Sequence, residues 1–150
     1  MKRYITVVEV DGTTSTLDVL DTIKRMRRLP ELREYRRGHR PLVDVVGAQG
    51  YASGRAWPGR RIFMRIDDNL ARERVEELIL HEVVHYLLPP GVHHGKTFRS
   101  TLLRAAREWW PGLVDDVRNE GRTYAMDEVI WQTARMRKVV PSTDVQEVAA

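Results

Sequence analysis

Four of the five histidines of this 150-residue chain lie between positions 81 and 94: His81, His85, His93 and His94. The first two belong to His81-Glu82-Val83-Val84-His85, an HExxH pattern. On an α-helix, His81 and His85 project from one face about 40° apart, where two imidazoles can chelate one ion. Glu82 lies about 100° round from His81, beside such an ion. There its carboxylate can take a proton from an ion-bound water and pass it to a leaving amine. Neutral imidazoles suit zinc, so Zn2+ is the expected cofactor. The run from Leu78 to Leu88 is otherwise the most apolar of the chain. Unpaired imidazoles and a carboxylate are costly in such surroundings, and a shared metal ion removes that cost.

A catalytic zinc site has three protein ligands and one open position. The third ligand is expected just past Pro89-Pro90-Gly91, where the chain can reverse. His94 is the choice because Gly95 follows it and frees the backbone for a tight approach; His93 and Glu108 are its rivals. Tyr124, Arg122 and His93 are candidates for stabilising an oxyanion, with none singled out.

These residues need a frame. Tyr4 to Val10 alternates as a strand, Asp11-Gly12 reads as a turn, and Thr14, Ser15 or Thr16 can cap a helix through Leu17, Leu20 and Ile23. Leu42 to Val46, Tyr51 to Trp57 (interrupted by Gly54) and Arg61 to Ile66 read as strands. Asp67-Asp68-Asn69 can cap a helix from about Leu70 to Leu88, wet at its start and buried at its end. A second helix runs from about Lys96 to Trp110. A short one follows over Leu113 to Glu120, and another over Thr123 to Val139 through Met126, Val129 and Ile130. Strands followed by helices make an α+β fold. The expected organisation is one domain over residues 1–140 and a polar C-terminal tail over 141–150.

The chain contains no cysteine, which excludes disulfides, thiol catalysis and cysteine zinc ribbons and makes the cytoplasm the expected location. No run approaches the length of a membrane span. The formal charge is +4, yet residues 22–40 alone carry +6, through Lys24, Arg25, Arg27, Arg28, Arg33, Arg36, Arg37 and Arg40 against Glu31 and Glu34. Such a segment could attract a phosphate backbone. No helix-turn-helix motif or aromatic interleaving accompanies it.

His81-Glu82-x-x-His85, eight intervening residues, then His94-Gly95-x-x-Phe98 resembles the SprT-like group of zincin metallopeptidases over roughly Ile62 to Trp110. The resemblance implies a zincin-like domain, with a small mixed sheet packed against the HExxH helix and further helices. It implies His81, His85 and His94 as zinc ligands, Glu82 as general base and Phe98 as a packing residue. It also implies that the strand directly before the helix, near Arg61 to Ile66, can hold an extended peptide by β-addition. The eight-residue gap is shorter than in the larger DNA-repair members, and their cysteine zinc ribbon is absent. The gluzincin pattern fails for want of an NExxxE-like context at Glu108. The metzincin pattern fails because positions 88 and 91 are Leu and Gly.

The expected function is therefore zinc-dependent hydrolysis of peptide bonds by Glu-assisted attack of zinc-bound water, on a peptide or protein substrate. Two other classes fit less of the pattern. One is a metal-dependent nuclease or other hydrolase using the basic 22–40 segment. The other is a non-catalytic zinc-stabilised interaction domain, which would close its site with a fourth protein ligand and leave Glu82 without a use.

Overall fold

The computed structural model describes residues 4–8, 11–30, 32, 42–67 and 69–139, with side chains as far as 126. The tail over 141–150 lies outside the described residues. So do Glu31, Glu34, Arg33, Arg36, Arg37 and Arg40 of the basic segment. Among the described residues no helix is long and apolar enough to cross a membrane.

Two strands, β1 (Tyr4–Val8) and β2 (Thr14–Asp18), form an antiparallel hairpin closed by Asp11 and Gly12. The Asp11 carboxylate accepts hydrogen bonds from the Thr13 amide and hydroxyl, and Gly12 adopts φ 87°, which suits a residue without Cβ. The helix expected to begin at Thr14–Thr16 starts later. Thr14, Ser15, Thr16 and Leu17 pair across to β1, a setting that favours β-branched residues, and Asp18 caps α1 (Val19–Met26) by accepting from the Leu20 amide at 2.9 Å. Lys24, Arg25 and Arg28, from the basic segment, are exposed on and just after α1.

Three strands make the sheet that carries the site: β3 (Leu42–Gly47), β4 (Ala52–Trp57) and β5 (Arg61–Ile66). Their order is β3-β5-β4, with β5 parallel to β3 and antiparallel to β4. Alternation sends Val43, Val45, Ile62, Met64 and Ile66 into the core. On β4 the residues in register with the inward Ile62, Met64 and Ile66 are Ala56, Gly54 and Ala52. This small-residue face allows close approach by α2 (Arg72–Leu87), which packs against β4. Both edges of β5 are paired, so the strand directly before the HExxH helix cannot take up a peptide. Among the described residues, the unpaired edge beside that helix belongs to β4.

The cap expected for α2 is absent. Its N-cap position is Ala71, and Asp67 instead accepts from the amides of Gly50 (2.7 Å) and Asn69 (2.9 Å), tying the β3–β4 turn to the approach of the helix. Asp68 lies outside the described residues. The wet-to-buried gradient holds: Val75, Ile79, Leu80 and then Glu82, Val83, Val84, Tyr86 and Leu87 are buried. At the far end the Gly59 amide donates to the Tyr86 carbonyl at 2.8 Å, fastening the β4–β5 turn to the end of α2.

After Leu88 the chain turns through Pro89-Pro90-Gly91 into α3 (Lys96–Trp109), then through a short 3-10 turn over Pro111–Leu113 into α4 (Val114–Val139). The two helices expected over 113–139 are thus one. Gly121 costs only about 1 kcal/mol relative to Ala inside a helix. Packing against α3, with Leu113 and Val117 buried, keeps the rod continuous. Met126, expected on an apolar stripe, is exposed. The molecule is a mixed α+β fold whose small sheet packs against the helix bearing His81, Glu82 and His85, flanked by α3 and α4.

Candidate metal centre

Helical periodicity places His81 and His85 one turn apart on the exposed side of an otherwise buried segment of α2. His94 arrives from the loop. Two left-handed residues, Gly91 (φ 88°) and His93 (φ 49°), turn the chain back toward α2. Gly95, expected to supply that freedom, sits instead at φ −69°, an ordinary value, with its amide bonded to the Val92 carbonyl at 3.2 Å. His94 Nε2 lies 3.1 Å from His81 Nε2 and 2.9 Å from His85 Nε2. The three donor nitrogens all fall within 4.8 Å of one another.

Ligands about 2.0–2.1 Å from a tetrahedral zinc stand about 3.3 Å apart. The donor spacings seen here fit that ion. With all three nitrogens in the acceptor form that binds metal, their lone pairs would repel at these distances unless something positive lay between them. Among the described residues these are the only grouped donors, so no fourth side chain closes the cluster.

The rings are fixed by packing. Fully buried Phe98 stacks on His85 (centroids 4.2 Å apart) and meets His81 and His94 edge-on at 4.9 and 5.0 Å. Tyr124 stacks flat on His94 at 4.0 Å. Burial, reinforced by the neighbouring imidazoles, pushes His85 down to about 3, which keeps it in the neutral form that binds metal.

Glu120, on α4, reaches the histidine cluster although the sequence did not single it out. Its Oε1 lies 2.9 Å from His81 Nδ1 and accepts the Tyr124 hydroxyl. Burial alone would raise this carboxyl, but the hydrogen bonds from His81 and Tyr124 outweigh it and hold Glu120 down to about 2. A carboxylate there keeps the proton of His81 on Nδ1 and leaves the Nε2 lone pair for the ion. Beside it Glu77 is raised to about 7 by burial, by its hydrogen bond with Glu120 and by the Glu120 charge. The only sequence trace of Glu120 is its i,i+4 spacing to Tyr124, which many surface pairs share.

Glu82 is 4 % exposed and is pushed up to about 6, chiefly by burial, with His81 opposing the shift. Two cavities meet at it. One of about 460 Å³ is lined by Gly54, Ala56, His81, Glu82, His85, the Pro89-Pro90 turn, His93 and His94. The other, of about 430 Å³, is lined by Ala52, Arg74, Glu77, His81, Glu82, Glu120 and Tyr124. His93 thus stands in the first cleft outside the donor cluster. Glu108 faces solvent on α3, 3.7 Å from Arg104, and Arg122 lines a groove between α3 and α4. Neither joins the site.

No family model, curated protein or solved structure matches this chain. The class therefore rests on the molecule itself. An HExxH helix, a third histidine past its stop and a small mixed sheet behind them form an HExxH-type zinc-binding cluster in a fold consistent with the SprT-like zincins. The geometry is consistent with a zinc metalloenzyme active site.

Proposed function

We propose that the protein is a zinc-dependent metallopeptidase. The observation that carries this reading is the convergence of His81, His85 and His94 beside a buried glutamate, at the meeting point of two clefts. His81, His85 and His94 would hold the ion, which when bound supplies Lewis acidity, acidifying a water and polarising a carbonyl. Glu82 accepts the proton of the attacking water on its carboxylate. It then hands that proton to the amine nitrogen as the C–N bond breaks. Burial, which raises Glu82 in the metal-free chain, makes it a stronger proton acceptor than a solvated carboxylate, as the first transfer needs. Glu120 keeps His81 in the tautomer that leaves Nε2 free.

The substrate is proposed to be a peptide or protein segment lying extended beside the free edge of β4, which borders both clefts through Ala52, Gly54 and Ala56. A site built without cysteine is compatible with reducing surroundings, and the cytoplasm is the proposed location. The test is Glu82→Gln in the zinc-loaded full chain. One zinc per chain should remain and cleavage of casein should fall by about 10²–10⁴-fold. Cleavage unchanged by that substitution would sink the reading. A nucleic-acid hydrolase would instead degrade oligonucleotides in a zinc-dependent way, with binding that weakens steeply as salt rises.

A further inference from the structure

We propose that Gly54 is a positioning residue: the absence of a side chain in the middle of β4 lets Glu82 hold its carboxylate at the metal centre. The contact stands on geometry alone, while its consequence for catalysis rests on the peptidase reading.

Gly54 pairs with Met64 of β5 and faces α2. A Cβ at this position would lie 2.7 Å from Glu82 Cγ and 2.9 Å from both Cδ and Oε1. Carbon atoms in contact prefer about 3.5–4.0 Å, so any side chain here displaces Glu82 by roughly 1 Å. The three nearest atoms all belong to that one carboxylate side chain.

Two other reasons for a glycine do not apply. Its φ is not among the positive ones, so backbone freedom is not the requirement. It is exposed to the cleft, so it fills no gap in the core. By contrast, a Cβ at Gly47, in β3 of the same sheet, would meet nothing within 4 Å. The flanking Ala52 and Ala56 are also small enough to let the helix approach, and the position between them abuts Glu82. A displaced Glu82 would no longer hold its carboxylate where the wild-type chain does, and a misplacement of about 1 Å at a reacting group can cost about 10²-fold in rate.

The experiment compares Gly54→Ala, Glu82→Ala, their combination and Gly47→Ala in the full chain. In metal-free protein, Gly54→Ala should lower Tm by roughly 3–8 °C, the cost of overpacking a domain of this size. That loss should vanish when Glu82→Ala is also present, and Gly47→Ala should show none. Loaded with zinc, Gly54→Ala should keep one ion per chain while kcat on casein falls by about 100-fold with KM little changed. The proposal is overturned if Gly54→Ala costs the same Tm with and without Glu82, or if zinc-loaded Gly54→Ala cleaves like the wild type. A wild-type protein that leaves casein intact would count against the peptidase reading, and the melting comparison alone would then decide the contact.

Discussion

Replacing Glu120 tests whether the metal centre extends beyond its three histidines. Glu120→Gln removes the negative charge facing His81 Nδ1 but keeps the shape and an acceptor oxygen. A carboxylate roughly 7 Å from a divalent cation attracts it by about 5 kcal/mol at an effective dielectric of 20 and by about 1 kcal/mol in bulk water. Glu120 is neither fully buried nor fully wet, so the loss should fall inside that bracket. Outer partners of metal-bound histidines typically change affinity by about 10–100-fold, or about 1.4–2.7 kcal/mol. The expected result is a zinc dissociation constant weakened about 10–100-fold, measured by competition with a chromophoric chelator at pH 7.5. Tyr124→Phe keeps the ring stacked on His94 and removes one donor to Glu120, so it should cost only a few-fold. A Glu120→Gln affinity within twofold of wild type would refute the link from α4 through His81 to the ion.

Other consequences follow from the same geometry. His94→Ala should abolish retention of zinc through dialysis, whereas His93→Ala and Glu108→Ala should each keep one ion per chain by elemental analysis. Zinc at about 1,000 times its dissociation constant should stabilise the fold by about 4 kcal/mol, and stripping it with a chelator should lower Tm by roughly 8–16 °C. Metal-free Glu82→Gln should be more stable than metal-free wild type at pH 7.5. Glu82 is raised from 4.5 to about 6 in the fold, so its ionised form is penalised above both values, by at most about 2 kcal/mol. The advantage should shrink as pH falls from 6 and vanish below 4.5, where the carboxyl is protonated folded or unfolded. Urea denaturation at pH 7.5 and 4.5 reads that difference, and an equal advantage at both would contradict the burial of Glu82.

Much of the site could be read from the chain because it is local. His81, Glu82 and His85 share one helical turn, and Pro89-Pro90-Gly91 marks where the chain must leave the helix, so His94 was within reach by arithmetic. What sequence could not supply was long-range. Glu120 reaches His81 across 39 positions on a helix with no signature of its own. Gly54 read as an interruption of a strand, while its reason is a carboxylate on another element. The strand order hid for the same cause: that β5 lies between β3 and β4 depends on pairing partners, and no residue of β5 announces it. At Thr14–Leu17 the hydroxyl-rich run suited a helix cap as well as a strand, and pairing with β1 decided. The division expected between Glu120 and Thr123 does not occur, because packing against α3 outweighs the small helix penalty of Gly121.

The most direct measurement is a crystal structure of zinc-loaded protein with anomalous data at the zinc edge. One ion should lie about 2.0–2.1 Å from Nε2 of His81, His85 and His94, with its remaining position taken by something other than a side chain. No ion at that point, or an ion enclosed by a fourth side chain, would contradict the account.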